Sequence, residues 1–147
     1  MSGLDDITMY EACLLHSRAD RALRMVVAKE LEQFGITMMQ WLLLATTDKG
    51  PGSGMRMSEL AEALNVTMPQ ITALMNDLIQ SKFAKQKVNS TDRRSRRLTV
   101  TPLGKRQLLK IESAIDATMR TWLKNVPVDE LVSYMTTVKR LAVGPTS

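Results

Sequence analysis

The amino-acid sequence predicts a mainly α-helical protein with one small β-hairpin, and two observations predict it. Apolar residues recur at steps of three and four residues over most of the chain, which is the period of an amphipathic helix. Residues 83–88 and 96–101 are instead β-compatible runs, joined by a segment rich in turn-forming residues. A length of 147 residues with 44% hydrophobic and 24% charged residues is ordinary for one soluble globular domain.

The N-terminal part is predicted to form two helices. Residues 4–34 form one long amphipathic helix that ends near Gly35. Its apolar positions are Leu15, Ala19, Ala22, Leu23, Val26, Val27 and Leu31. Thr37 and Gln40 then form a capping box that opens a second, well-buried helix. Residues 48–54 hold three of the seven glycines and a proline, so they are predicted to form a loop that contributes no packing.

The most specific pattern lies in residues 58–81. Ser58 is expected to cap a short helix, residues 65–66 make a tight turn, and Thr67 with Gln70 forms a second capping box that opens a longer helix. Two such helices are the signature of a helix-turn-helix motif. Their buried side is predicted to hold Leu60, Ala61, Leu64, Ile71, Leu74, Met75 and Leu78. The outward face of the second helix is predicted to hold Gln70, Thr72, Ala73, Asn76, Asp77 and Gln80.

The chemistry of this outward face suits the major groove of DNA. Glutamine and asparagine can read adenine with two hydrogen bonds, threonine contacts base edges or phosphates, and alanine can touch a thymine methyl group. The alternative is an ordinary helical hairpin whose polar face only meets water.

Positive charge is concentrated in residues 82–106, which hold nine basic residues against one acid. This stretch sums to +8 in a chain of net charge +5, so the remainder is mildly acidic at −3. Such a footprint indicates a polyanion, most commonly nucleic acid, because each neutralised phosphate releases condensed counterions. A solvated charged hairpin is the alternative.

The two β-compatible runs are predicted to form a wing with its turn at residues 89–95. The tip would project Arg93 and Arg94, and a narrow minor groove attracts inserted arginines. We interpret Asp92 as a residue that orients an arginine through a charge-assisted hydrogen bond. Together with the preceding motif, this predicts a winged helix-turn-helix.

Two further helices follow. Thr101 and Pro102 are a cap and a first-turn proline, and Pro127 starts the last helix. The apolar positions of these helices are Leu108, Ile111, Ile115, Met119 and Trp122, then Leu131, Tyr134, Val138 and Leu141. A small winged helix offers no obvious core in which either set of apolar side chains could be buried. Burial against a second copy of the chain is therefore expected. Packing onto the first helix of the same subunit is the alternative, and both can hold at once.

The order of these elements resembles the MarR (multiple antibiotic resistance regulator) family of winged helix-turn-helix transcription factors over essentially the whole chain. The wing motif of that family is matched by Asp92, Arg94, Val100, Thr101 and Gly104. The resemblance implies a triangular homodimer with interlocked first and last helices, recognition helices in successive major grooves and wings in flanking minor grooves.

The chain departs from the family pattern at three positions. Family members often have arginines where this chain has Ala73 and Asp77, and a glycine where it has Lys82. Because arginine is the usual reader of guanine, specificity is expected to rest on Gln70, Thr72, Asn76 and shape readout by the wing.

The chain is therefore expected to be one MarR-like domain. Residues 37–104 form its DNA-binding part, and residues 1–34 and 105–147 form dimerisation helices. The expected partner is a pseudo-palindromic double-stranded operator. The residues expected to contact it are Ser58, Thr67, Met68, Gln70, Thr72, Ala73, Asn76, Lys82, Lys85, Asp92, Arg93, Arg94 and Arg96.

The expected function is a transcriptional regulator, a repressor released by a small-molecule effector. The resemblance implies that small aromatic or anionic compounds bind between the dimer helices and the winged helix. His16, Met39 and Trp41 are candidate lining residues, although core packing explains each equally well. Cys13 is interpreted as a small buried hydrophobe, and an oxidant-sensing thiol is its alternative. An alternative function is that of an architectural DNA-binding protein without an effector.

Other function classes find little support in the sequence. It has no nucleophile elbow, phosphate-binding loop or paired-histidine motif, so neither an enzyme nor a cofactor is expected. One cysteine and one histidine are too few for a structural zinc site. No long apolar run or secretory leader is present, which predicts a cytoplasmic protein without a membrane span.

Overall fold

The computed structural model describes residues 6–88 and 96–145. The predicted fold class is confirmed: helices dominate, and one small antiparallel sheet accompanies them. The elements are α1 (Met9–Leu31), a 3₁₀ turn (Glu32–Phe34), α2 (Met38–Lys49), β1 (Met55–Arg56), α3 (Met57–Leu64), α4 (Met68–Gln80), β2 (Ala84–Val88), β3 (Arg96–Val100), α5 (Pro102–Trp122) and α6 (Val128–Val143). They form two compact units, divided between Ile115 and Asp116.

The first helix begins later than predicted. Thr8 is the N-cap of α1, and its hydroxyl accepts a hydrogen bond from the Glu11 amide at 3.2 Å. The prediction of a helix from residue 4 is therefore wrong at its start, because the threonine takes an extended conformation before the helix. The predicted end is confirmed, since Gly35 adopts a left-handed φ of 64° after the 3₁₀ turn.

Both capping boxes predicted from the sequence are confirmed. Thr37 and Gln40 open α2, and Thr67 and Gln70 open α4, each with reciprocal backbone and side-chain bonds. The predicted cap at Ser58 is wrong. Arg56 is the N-cap of α3 and makes no side-chain cap bond, because β1 runs directly into the helix.

The sheet has three strands in the order β1-β3-β2, all antiparallel. The two predicted wing strands are confirmed as β2 and β3, while their connecting turn at residues 89–95 lies outside the described residues. No pattern in the sequence predicts β1. The expectation that residues 48–54 contribute no packing is wrong at Gly54, which is buried with a φ of 96°. A Cβ there would lie 2.9 Å from the Leu98 carbonyl oxygen, so only glycine fits.

The core of the first unit joins the end of α1, the helix-turn-helix, the sheet and the start of α5. Its fully buried large side chains are Leu31, Leu43, Leu44, Leu60, Ile71, Met75, Leu78, Leu98 and Ile111. Leu74 and Leu64 are only half-buried. The expectation that the α5 stripe lacks a core inside the winged helix is wrong for Leu108 and Ile111, which are buried in this cluster.

The second unit contains the end of α5 and α6. Pro127 is the N-cap of α6, as predicted. An apolar groove of about 370 Å³ is lined by Met119, Arg120, Leu123, Lys124, Val126, Val128 and Leu131. Arg120 donates to Asp116 at 2.7 Å, and this hydrogen bond raises the pKa of the guanidinium. Across the described residues, none of the helices combines the length and the apolar character that a membrane crossing requires.

Candidate nucleic-acid interface

The exposed face of α4 is the centre of the candidate site. Gln70, Ala73 and Asn76 are exposed along it, as the helical period predicted. Thr72 is half-buried, and its hydroxyl donates back to the Met68 carbonyl at 2.9 Å. Met68 itself is 47% exposed in the first turn of the helix. The face is therefore short, free of basic residues and open to a partner.

Gln70 is held in place by the start of its own helix. Its Oε1 accepts from the Thr67 amide at 2.9 Å and from the Thr67 hydroxyl at 3.2 Å. Its Nε2 has no acceptor among the described residues, so this donor is free to bond water or a binding partner. The capping box thus fixes the side chain before any ligand arrives, which lowers the entropy that binding would cost.

Asp77 also has a structural partner. Gln40, the capping residue of α2, donates its Nε2 to Asp77 Oδ2 at 3.1 Å. The bond ties the N-terminus of α2 to the middle of α4. The acid at this position of the recognition helix therefore serves helix–helix packing.

The wing places basic side chains by strand alternation. Lys85 and Lys87 are exposed on β2, and Arg96 is exposed at the start of β3, where it pairs with Val88. Ala84 and Leu98 are buried on the face opposite Lys85 and Lys87, and Arg96 lies on that same face at the exposed end of β3. The remaining predicted wing residues, Asp92, Arg93 and Arg94, lie outside the described residues.

Among the basic residues of 82–106 that the structure describes, two have partners within the fold. Arg97 is half-buried and donates its Nη1 to the Gly54 carbonyl at 3.0 Å. Lys105 Nζ lies 3.8 Å from Asp48 Oδ1. The sequence analysis treats all nine basic residues as equivalent. In the structure, Arg97 and Lys105 instead bond to residues 48–54 and hold that loop beside the sheet.

A compact set of hydrogen bonds, which we call the clasp, joins α4, β2 and α5. The Thr101 hydroxyl donates to the Lys82 carbonyl at 2.6 Å and accepts from the Gly104 amide at 3.0 Å. The Thr101 amide donates to the Phe83 carbonyl at 3.0 Å. A Cβ at Gly104 would overlap that carbonyl oxygen, which explains the glycine. The clasp thereby fixes the recognition helix to the base of the wing.

Residues 34–95 match the sequence model of the MarR family. Over these residues the chain is similar to the MarR family. Solved structures of the same fold extend over nearly all of it. Streptomyces coelicolor AbsC, a MarR family transcriptional regulator, is 23% identical with a TM-score of 0.78, over 92% of this chain and 94% of its own.

Two further solved structures have the same fold as this chain. CouR from Rhodococcus jostii RHA1, bound to p-coumaroyl-CoA, is 20% identical with a TM-score of 0.79, over 100% of this chain and 99% of its own. MepR from S. aureus, in complex with DNA, is 20% identical with a TM-score of 0.78, over 95% of this chain and 100% of its own. At these identities, the likeness establishes the fold.

The remaining predicted site residues lie on other helices. Ser58 is exposed in the first turn of α3. His16 is exposed on α1, with its Nδ1 2.8 Å from the Ala12 carbonyl. Met39 and Trp41 are half-buried on α2, and Trp41 Nε1 is buried without a hydrogen-bond partner in the described part of the chain. No described hydrogen bond joins these three.

Cys13 is exposed on α1, so its interpretation as a buried hydrophobe is wrong. It lies in the part of α1 before Val27, where no residue is buried in the core. The residues at 6–88 and 96–145 contain no group of three acidic, histidine or cysteine side chains that could hold a metal ion.

Proposed function

We propose that this protein is a MarR-family transcriptional regulator that binds specific sequences of double-stranded DNA. The observation that carries the proposal is the exposed face of α4, which holds no basic residue and is fixed by its capping box beside a basic wing. Gln70 and Asn76 offer amide groups for base edges, and the lysines and arginines offer charge for phosphates. The S. aureus relative of the same fold is known in complex with DNA, which supports this partner.

Each proposed contact has a distinct role. Gln70, Thr72, Ala73 and Asn76 read bases in the major groove, and Arg93 and Arg94 enter the minor groove with Asp92 orienting them. The remaining proposed contacts position α4 on the DNA backbone. They are made by Ser58, Thr67, Met68, Lys82, Lys85 and Arg96. Binding and release require no catalytic step, and the cytoplasm is the proposed location.

The proposal includes a homodimer built from residues 1–34 and 105–147, flanking the DNA-binding part at 37–104. Apolar side chains on α1 are largely exposed, including Met9 at 73%, Tyr10 at 75% and Leu15 at 62%. Val132 and Tyr134 are likewise exposed on α6. Exposed apolar surface of this extent marks an interaction site, and a second copy covers it with the fewest assumptions.

A small aromatic or anionic effector is the proposed release signal. The buried Trp41 Nε1 is a donor without a partner in the described part of the chain, and a carboxylate or carbonyl of a ligand would satisfy it. Met39 and His16 are the other proposed lining residues. CouR is known with p-coumaroyl-CoA bound, a ligand with aromatic and anionic parts. Such an effector acts as a repressor's release signal only by binding one dimer geometry more tightly.

Selection of bound fragments from genomic DNA tests the function. We expect enrichment of a pseudo-palindrome whose half-site centres lie about one helical turn, roughly 10 bp, apart, with an affinity that falls steeply with salt. Equal affinity for selected and random duplexes at physiological salt would refute sequence-specific regulation and favour an architectural DNA-binding protein.

The exposure of Cys13 supports a second candidate, an oxidant-sensing regulator. The two candidates separate in one titration of DNA binding, with and without stoichiometric peroxide, on wild type and Cys13→Ser. Effector control predicts that both proteins stay bound. Release of the wild type alone identifies the cysteine as the sensor.

A further inference from the structure

The exposed face of α4 carries one negative charge that the proposed DNA contacts do not explain. Asp77 lies about two helical turns after Gln70, so the helical period places both residues on the same side of α4 as Ala73. All three are exposed. A carboxylate at this position repels DNA phosphates, and no salt bridge in the described part of the chain involves it. Asp77 therefore weakens the binding of any duplex, and its presence points to another role.

The hydrogen bond between Gln40 and Asp77 gives the carboxylate such a role. Gln40 Nε2 donates to Asp77 Oδ2 at 3.1 Å. The orientation of the Gln40 amide is fixed independently, because its Oε1 accepts from the Thr37 amide at 3.0 Å within the capping box of α2. The amide nitrogen is then left to face Asp77, and a carboxylate can only accept. Donor and acceptor are therefore matched at both ends of the Gln40 side chain.

This bond is directional, whereas the core that α2 and α4 share is apolar. Five fully buried side chains of that core come from the two helices: Leu43, Leu44, Ile71, Met75 and Leu78. Hydrophobic burial has no preferred direction, so it fixes the rotation of α4 about its axis less sharply than a charge-assisted hydrogen bond does. A polar contact between packed helices is an established means of fixing their register.

We propose that Gln40 is a positioning residue for base reading: its bond to Asp77 sets the rotation of α4 against α2 and thereby determines which base edges Gln70 meets. This inference rests on the proposed DNA-binding function. An amide reads a base through two hydrogen bonds that must both be in line, so a small rotation of α4 removes discrimination between base pairs. Phosphate contacts carry no sequence information, so they persist. The charge of Asp77 strengthens the bond that holds the helix and lowers the overall affinity.

The test reverses the direction of the bond. Gln40→Glu keeps the acceptor of the capping box, but it loses the donor and places a second carboxylate against Asp77. Adding Asp77→Asn restores a donor, because the asparagine Nδ2 can bond the new carboxylate, and the double variant has the net charge of the wild type. Gln80→Glu and Gln80→Glu/Asp77→Asn are the controls of equal charge. Gln80 is exposed at the end of α4 and has no described hydrogen bond with Asp77.

Each variant is titrated with operator and random duplexes of one length at one salt concentration, and the ratio of the two affinities is measured. We expect Gln40→Glu to lower this ratio by about twofold to tenfold, the range of one lost hydrogen bond. Asp77→Asn should lower the ratio less and should raise both affinities, because a weaker neutral bond remains and a repulsive charge is gone. The decisive result is a change of sign. Asp77→Asn should raise the ratio in the Gln40→Glu background and lower it in the Gln80→Glu background.

Chemical denaturation of each variant measures folding separately. A bond that only stabilises the fold would change the free energy of unfolding and leave the ratio of affinities unchanged, so an unaltered ratio in folded Gln40→Glu overturns the proposal. A folded double variant that discriminates no better than Gln40→Glu also overturns it. If Gln40→Glu does not fold, Asp77→Asn decides, and an undiminished ratio there overturns the proposal. A wild type that binds both duplexes equally instead refutes the proposed function, and this inference with it, before any substitution is made.

Discussion

At the scale of single residues, Lys82 has an unfavourable backbone conformation and lies between α4 and β2, where its carbonyl is part of the clasp. Its φ is 64°, in the left-handed region that disfavours side chains with a Cβ. Its amide donates to the Ile79 carbonyl at 3.0 Å, and its own carbonyl accepts from Thr101 at 2.6 Å. The backbone contacts therefore hold a conformation that glycine adopts more readily.

Replacing Lys82 with glycine should stabilise the protein. The left-handed conformation costs a non-glycine residue about 1–2 kcal/mol, and the greater freedom of glycine in the unfolded chain offsets about 0.5–1 kcal/mol. We expect Lys82→Gly to raise the free energy of unfolding by roughly 0.5–1 kcal/mol, measured by chemical denaturation. Lys82→Gln is the control, because it removes the charge and keeps the strain. If the glycine variant is no more stable than the glutamine variant, the left-handed conformation of Lys82 does not cost the protein stability.

Gln70 has two functions that a single substitution can separate. Its Oε1 caps α4, while its Nε2 is the proposed donor to a base. Gln70→Glu keeps the acceptor for the Thr67 amide, since glutamate also completes a capping box. We expect unchanged stability but a loss of about 1–3 kcal/mol in operator binding, measured by titration.

Gln80→Glu is the matched control for Gln70→Glu, because it adds the same charge at the exposed end of the same helix. We expect it to weaken binding much less. Similar losses in the two variants would show that charge repulsion, and no specific donor, underlies the effect.

At the scale of elements, the clasp decides how the recognition helix and wing are held. Thr101 makes all three hydrogen bonds of the clasp. Its partners are Lys82 after the end of α4, Phe83 before the start of β2, and Gly104 in the first turn of α5. Thr101→Val keeps the shape and removes the hydroxyl, leaving the Lys82 carbonyl and the Gly104 amide without that partner. We expect a loss of about 1–3 kcal/mol in unfolding free energy.

Thr101→Ser serves as the rescue variant, because it restores the hydroxyl without the methyl group. If the clasp positions the wing, Thr101→Val should also weaken operator binding at temperatures where it remains folded, and Thr101→Ser should recover it. A valine variant as stable as the wild type in denaturation would show that the clasp contributes nothing to the fold.

At the scale of the whole molecule, exposed apolar surface is the feature that an isolated chain leaves unexplained. Most of α1 before Val27 packs on nothing in the core, and no residue of α6 is buried. Ordering these surfaces in water brings no hydrophobic gain, whereas each 100 Å² of apolar area buried against a partner gains about 2.5 kcal/mol. Assembly is therefore expected to supply a large part of the stability.

We expect an obligate homodimer whose unfolding midpoint rises with protein concentration. Sedimentation at low micromolar concentration should give about twice the 16.5 kDa chain mass. A single species at the monomer mass, with a midpoint independent of concentration, would contradict the dimer.

Local chemistry explains which parts of the fold and the site were predictable. The two Thr-x-x-Gln capping boxes and the exit at Gly35 depend on residues within four positions of one another, and all three are confirmed. The exposed face of α4 follows from helical period, and the wing strands follow from composition. The start of α1 was missed, although Thr8 and Glu11 have the same spacing as a capping box.

The sequence by itself determined the order of the helices, the capping boxes of α2 and α4, the face of α4 and the basic character of the wing, because these depend on neighbours along the chain. The tertiary structure decided β1, the need for glycine at Gly54 and the internal role of Arg97. A two-residue strand has no period to detect, and it exists only because β3 offers its unpaired edge. Only that pairing brings Arg56 beside Arg97, because the two residues are far apart along the chain.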